Sequence, residues 1–202
     1  MNKDTPHIII TTSHVLAPVF ASDARAQDLT WQPMPAEDVE KQVQKYKTLW
    51  AEKEDLILKS LTDILELHFL ENYICAYIIS GQKGGMSDPI IISANTKEER
   101  FVDVLTHELI HRLLSYHAEE IDTRKITTTL FGHFPSMKTT AHIMVNAVEE
   151  YLYREVLHDE EMLRWNINYM QPYPALKASW DYVQEKGYRE LLEVYKSHYH
   201  HQ

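Results

Sequence analysis

The sequence predicts an α+β fold, in which helices flank a small mixed sheet and a mainly helical C-terminal part follows. Two short runs, 73–80 and 89–93, are nearly all apolar and rich in β-branched residues, as inner strands are. From position 36, apolar residues instead recur at three- and four-residue steps, the periodicity of an amphipathic helix. Together these patterns predict one domain over 1–202, with a candidate strand and arm at 1–35.

The N-terminal part predicts a strand and then a long helix. Ile8, Ile9 and Ile10 indicate a short strand, because polar residues and a proline interrupt the apolar run that a signal peptide would need. A loose segment over about 21–35 precedes a helix that ends near 70, or two helices in the same range. The apolar stripe of that region predicts core packing, and it contains Val39, Val43, Tyr46, Trp50, Ile57, Leu61 and Ile64.

The second strand, 89–93, is predicted to lie at the sheet edge. Pro89 begins it, and proline cannot donate a hydrogen bond to a neighbouring strand. Gly81, Gly84 and Gly85 stand between the two strands and lack the spacing of a phosphate-binding loop. These glycines therefore predict a plain hairpin loop.

Helical patterns dominate the rest of the chain. Thr96 and Glu99 have the three-residue spacing of a capping box and open a helix that runs through Leu113. A polar connection follows over about 118–135, and then a helix over about 136–158. Pro172 and Pro174 mark a break before a final helix at about 176–196.

The composition excludes several classes of partner. The chain has 30 acidic and 20 basic residues and a formal net charge of −10, which disfavours nucleic acids and anionic membranes as partners. Cys75 is the only cysteine, so no intrachain disulfide can form and a reducing compartment is favoured. No run approaches the roughly 18 apolar residues of a membrane span. We therefore expect a cytoplasmic protein; the sequence leaves the oligomeric state open.

The run His107-Glu108-Leu109-Ile110-His111 is the main functional motif. Residues four apart share one face of a helix, so His107 and His111 can present two imidazole nitrogens to one zinc ion. Glu108 is rotated by about 100° from His107, so its carboxylate lies beside the ion and can take a proton from a water molecule. With 12 histidines in the chain, about 0.07 chance matches to this motif are expected.

This motif resembles the active-site helix of the zincin metallopeptidases, and the order of strands and helix over 73–115 is similar to the upper half of their catalytic domain. The resemblance implies a zincin-like fold with an edge strand above the active-site helix. It also implies a Zn²⁺ cofactor and a third protein ligand downstream. It further implies a peptide or protein substrate extended along the strand at 90–93.

The third ligand has two candidate regions, and the first is the helix after Pro135. His142 and Glu149 are seven residues apart and align on one face, which Asn146 and Tyr153 share. This arrangement is similar to the gluzincins, and the resemblance implies Glu149 as the ligand, with Glu150 as the fallback. It leaves His142, Asn146 and Tyr153 as candidates for contact with the substrate or the transition state.

The second candidate is His117, six residues after His111, where the metzincins carry their third histidine. Those proteins have a glycine where this chain has Leu114. Leucine favours a continued helix, in which His117 would point away from the metal. Glu149 is therefore the preferred third ligand, and His117 the less favoured one.

A zinc metallopeptidase with Glu108 as general base is accordingly the predicted function. Two alternatives are a metal-dependent hydrolase of a non-peptide substrate and a catalytically silent zincin-like binding protein. A binding protein has no need of a base at Glu108, which disfavours the silent alternative. The unassigned N-terminal 70 residues could also cover the cleft of an inhibited enzyme.

Overall fold

The structure, a computed structural model, describes residues 5–115 and 121–199. It has a mixed α+β architecture with a four-stranded sheet and a larger share of helix. The chain forms two compact units. The first contains 1–58 with 71–112, and the second contains 59–70 with 113–202. None of the described helices is both long and apolar enough to cross a membrane.

The first unit is built on a sheet with strand order β1-β2-β4-β3. Strands β1 (His7–Thr11), β2 (Tyr73–Ile79) and β4 (Ile90–Ser93) are parallel, and β3 (Gly85–Ser87) pairs with β4 antiparallel. Ala76 of β2 lies opposite Ile10 of β1 on one side and opposite Ile90 of β4 on the other. These central residues are buried, as are most of their neighbours along the strands, so the sheet forms the core of this unit.

The predicted edge position of the strand at 89–93 is wrong. Strand β4 lies between β2 and β3, and all four of its residues are buried. Pro89 precedes the strand instead of occupying a ladder position, so its missing N–H costs no hydrogen bond. The predicted hairpin between the two apolar runs is also wrong, because β2 and β4 are parallel. The edge beside β4 is the three-residue strand β3, which lies within the stretch predicted to be a loop.

The helices of the first half follow the predicted pattern with one addition. The long helical stretch is two helices, α2 (Ala36–Ala51) and α3 (Glu54–Leu65). Helix α1 (Leu16–Gln27) was not predicted, and its second half lies in the segment at 21–35 that was predicted to be loose. It packs over the loop after β2, where a Cβ on Gly81 would lie 2.7 Å from the carbonyl oxygen of Phe20. Helix α4 (Glu98–Ser115) carries the run from His107 to His111.

In the described residues of the second unit, the secondary structure is helical. Helix α6 (Met137–Tyr151) continues into a π-helical turn (Leu152–Val156) and packs against α8 (Pro174–Lys186) and α9 (Tyr188–Ser197). Two helices were not predicted, α5 (Thr123–Phe131) and α7 (Glu160–Met170). The predicted final helix is divided at Gly187, whose φ of 86° is in the left-handed region that glycine tolerates.

Strand β1 makes the N-terminal residues part of the core, so removal of 1–35 is expected to unfold the first unit. Ile8 and Ile10 are both buried, and the burial of each side chain contributes about 1.5–3 kcal/mol. Their joint loss is a large fraction of the about 5–15 kcal/mol that stabilises a typical domain. The measurement is the thermal unfolding of the full chain, of a chain that starts at Ala36, and of Ile10→Ala, with the exposed Ile9→Ala as control. A truncated chain that unfolds at the parental temperature with raised hydrolytic activity would instead show that the arm is a removable cover.

Candidate functional site

Helix α4 holds the motif on a rigid and well-anchored element. Glu98 and Glu99 lie in its first turn, where negative charge interacts favourably with the helix dipole. Phe101 stacks on Tyr46 of α2, with a distance of 3.9 Å between the ring centroids. The buried face of the helix faces the core of the unit and includes Phe101, Leu105 and Leu109.

The two histidines of the motif lie side by side on α4. The ring centroids of His107 and His111 are 4.8 Å apart and their planes meet at 71°. Both side chains are partly exposed. They therefore form the pair of imidazoles, one helical turn apart, that the four-residue spacing predicts.

The carboxylate of Glu108 lies against the edge strand β3. A Cβ atom on Gly85 would be 2.2 Å from Oε1 of Glu108, far inside van der Waals contact. Glu108 is only 7% exposed, so the missing side chain of Gly85 provides the space that its carboxylate occupies. The glycine cluster was the sequence signal for this contact, but nothing in the sequence indicated which glycine, or that it belongs to a strand.

His142 is hydrogen-bonded to the backbone of its own helix through one ring nitrogen. Its Nδ1 lies 2.8 Å from the carbonyl oxygen of Lys138. A carbonyl oxygen only accepts, so Nδ1 donates, and in the neutral imidazole Nε2 is then the nitrogen that can bind a metal. Histidines that bind metals usually donate their other ring N–H in this way, often to a backbone carbonyl.

Three imidazoles are grouped in the structure. His107, His111 and His142 each offer one ring nitrogen, and these three atoms all lie within 4.8 Å of one another. All three side chains are partly exposed, and imidazole nitrogens are ligands that zinc accepts. The donor set fits zinc, and His142, predicted only as a candidate substrate contact, joins Glu149 as a candidate third ligand.

The other predicted residues of α6 are buried. Glu149 is 2% exposed and lies two helical turns from His142. Asn146 donates from Nδ2 to Oγ of Ser179 at 2.9 Å, so its amide contributes to the packing of α6 against α8. Tyr153 is buried in the π-helical turn, a feature that is frequent at functional sites and has no signal in the sequence. His117 lies outside the described residues.

Glu150, the fallback ligand, already has a partner for each carboxylate oxygen. Arg154 donates from Nε to Oε1 at 2.9 Å, and Gln184 donates from Nε2 to Oε2 at 2.6 Å. Burial raises the pKa of this carboxyl group above its usual range, although Arg154 opposes that shift. The arrangement is that of a structural ion pair, with α6 linked to α8 through Gln184.

Glu150→Gln is expected to leave both the bound metal and the fold intact. A raised pKa means that burial opposes the charged form in the folded state, so stability from this group is present at low pH and falls as pH rises. A neutral amide removes that cost but takes the carboxylate away from Arg154 and Gln184, so the free energy of unfolding at pH 7 should fall by about 1–3 kcal/mol. Chemical denaturation at pH 7 and zinc content measure both properties. Loss of zinc in this variant alone would instead make Glu150 the ligand.

Comparisons with known proteins show no relative of this chain. No protein-family model, no curated protein and no solved structure matches it.

Proposed function

We propose that this protein is a zinc-dependent hydrolase that cleaves peptide bonds. The observation that carries the proposal is the arrangement on α4: His107 and His111 lie one turn apart, and the carboxylate of Glu108 lies between that helix and the edge strand β3. His107 and His111 would hold the ion, with His142 or Glu149 as third ligand. When bound, zinc polarises the scissile carbonyl and a water molecule.

Glu108 is the general base of the proposed reaction. Its carboxylate takes a proton from the attacking water and returns it to the leaving amine nitrogen, so the proton count balances over one turnover. The new C–O bond forms as the C–N bond breaks, and water is the only co-substrate. The buried position of Glu108 against Gly85 keeps its carboxylate in one place for both transfers.

Strand β3, and not β4, is the proposed docking edge for the peptide. The backbone N–H of Ser93 donates to the carbonyl oxygen of Gly84 at 3.1 Å, so Gly84 and Ser93 form a hydrogen-bonded pair. Residues alternate along an antiparallel ladder, so Gly85 and Ser87 direct their N–H and C=O groups away from β4. The carbonyl oxygen of Ser87 already accepts from Nη1 of Arg112 at 3.4 Å, so the peptide is proposed to pair with Gly85. In the described part of the sheet no strand pairs with that outer side. A peptide that adds there lies beside Glu108.

The test is a combined measurement of metal content and hydrolysis. Purified protein is dialysed at defined free zinc, its zinc content is measured by elemental analysis, and the protein is incubated with a mixed peptide library that is read by mass spectrometry. About one zinc per chain, with cleavage that a chelator abolishes and added zinc restores, is the expected result. Bound zinc without peptide cleavage would favour a non-peptide substrate or a silent binding protein, and a chain that binds no zinc would overturn the proposal.

Gly85→Ala tests the contact between β3 and Glu108. The added Cβ would meet Oε1 of Glu108 at 2.2 Å, and the flexible carboxylate should move before the strand does. We expect kcat to fall at least about tenfold with zinc content unchanged, since misplacement of a catalytic group by about 1 Å is costly. Ser87→Ala, on the same strand, is the control. Parental kcat in Gly85→Ala would show that the position of Glu108 against β3 has no part in the reaction.

A further inference from the structure

A partly buried arginine connects the motif helix to the far end of the edge strand. Arg112 follows His111 on α4, and its guanidinium contacts two acidic residues. Nε donates to Oε1 of Glu71 at 2.9 Å, and Nη2 donates to the same oxygen. Nη1 donates to Oδ1 of Asp88 at 2.9 Å and lies 3.4 Å from the carbonyl oxygen of Ser87. Glu71 lies two residues before β2, and Asp88 directly follows β3.

Glu108 and Arg112 are four residues apart and share one face of α4, which is the face that meets β3. Glu108 contacts Gly85 at the start of the strand, and Arg112 contacts Ser87 and Asp88 at its end. Both ends of this three-residue strand are therefore fixed to the helix that carries His107 and His111.

The burial of these groups indicates which contact is strongest. The side chains of Arg112 and Glu71 are 14% and 24% exposed, whereas that of Asp88 is 62% exposed. Charge-assisted hydrogen bonds are strongest where water is excluded, and a guanidinium can bind two partners in a fixed geometry. The pair with Glu71 therefore anchors Arg112, and the outer side of its guanidinium holds the end of β3.

We propose that Arg112 is a positioning residue, which binds the carbonyl oxygen of Ser87 and holds strand β3 at a fixed place relative to Glu108, so that an extended peptide can pair with the outer edge at Gly85. This inference rests on the proposed function. Arg112 acts through β3 and contributes no ligand to the metal and no proton to the reaction. It affects binding of the peptide more than the chemical step.

The first experiment measures the strand directly and needs no substrate. Hydrogen–deuterium exchange of the zinc-loaded protein is followed by mass spectrometry over 84–88 in the parent, in Arg112→Gln and in Asp88→Asn. Arg189→Gln, which removes an arginine from an exposed ion pair with Glu155, is the matched control. Exchange at Met86, in the ladder with Ile91, should become about tenfold faster in Arg112→Gln, the factor expected for the loss of one charge-assisted hydrogen bond. A smaller increase is expected in Asp88→Asn.

The second experiment separates binding from chemistry with the best-cleaved peptide of the library. KM should rise about tenfold in Arg112→Gln, while kcat stays within about twofold of the parent and zinc content does not change. Arg112→Lys should restore part of the lost affinity, because an ammonium keeps the charge but cannot bind Glu71 and Asp88 together. Asp88 is exposed, so Asp88→Asn should fold even if Arg112→Gln does not, and it tests the same contact between Arg112 and the end of β3.

The outcomes distinguish the two proposals. Parental exchange at Met86 in both variants, or an unchanged KM in Arg112→Gln, overturns the positioning role. Loss of zinc in Arg112→Gln also overturns it, since the arginine would then support the metal site instead. A zinc-loaded parent that cleaves no peptide overturns the proposed function, and the exchange rate at Met86 still decides whether Arg112 holds β3.

Discussion

Glu108→Gln is expected to reduce kcat/KM for peptide hydrolysis by about 10²- to 10⁴-fold while zinc content stays at the parental value. The amide has nearly the same shape as the carboxylate and can still fit against Gly85, but it cannot accept a proton from water at neutral pH. The measurement is steady-state kinetics on one peptide, with elemental analysis of the same preparation.

A control variant and one contrary outcome decide how the result for Glu108→Gln is interpreted. Glu99→Gln, which changes an exposed glutamate on the same helix, is the control and should retain full activity. A Glu108→Gln protein that cleaves peptides at the parental rate would remove Glu108 from the mechanism, and with it the reason for preferring an enzyme over a binding protein.

Replacement of either motif histidine is expected to lower zinc affinity at least about 100-fold. Removal of a residue that is hydrogen-bonded to a metal ligand lowers metal affinity about 10- to 100-fold. Removal of the ligand itself should lower the affinity at least as much. Zinc content after dialysis over a range of free zinc is measured for His107→Ala and His111→Ala. His133→Ala, which changes a histidine that lies against Phe134 and Tyr182, is the control.

The same titration identifies the third ligand. Loss of zinc in His142→Ala with retention in Glu149→Ala would establish a three-histidine set, which the grouping of ring nitrogens favours. The reverse result would establish the gluzincin-like set, and loss only in His117→Ala the metzincin-like one. Parental zinc affinity in both His107→Ala and His111→Ala would contradict the metal site itself.

The fold shows where sequence reasoning succeeds and where it stops. The strands at 7–11, 73–79 and 90–93 and the two helices within 36–65 lie in the predicted regions, because apolar periodicity and β-branched runs act locally. The order of the strands was mispredicted at β4. The sequence does not show whether a proline at the start of an apolar run precedes the strand or occupies one of its hydrogen-bonding positions. Only the pairing of the strands shows that Pro89 precedes β4. Strand β3 has three residues and no apolar alternation, so its sequence indicated only a loop.

By itself, the sequence determined the pair His107 and His111 and the place of Glu108 beside them, because four-residue spacing on a helix is a property of local geometry. Only the tertiary structure decided which glycine faces Glu108, which strand forms the edge, and which residues Arg112 binds. It also gave Glu150 its partners Arg154 and Gln184. These relations join residues that are distant along the chain. Burial and packing determine such contacts, and no local pattern encodes them.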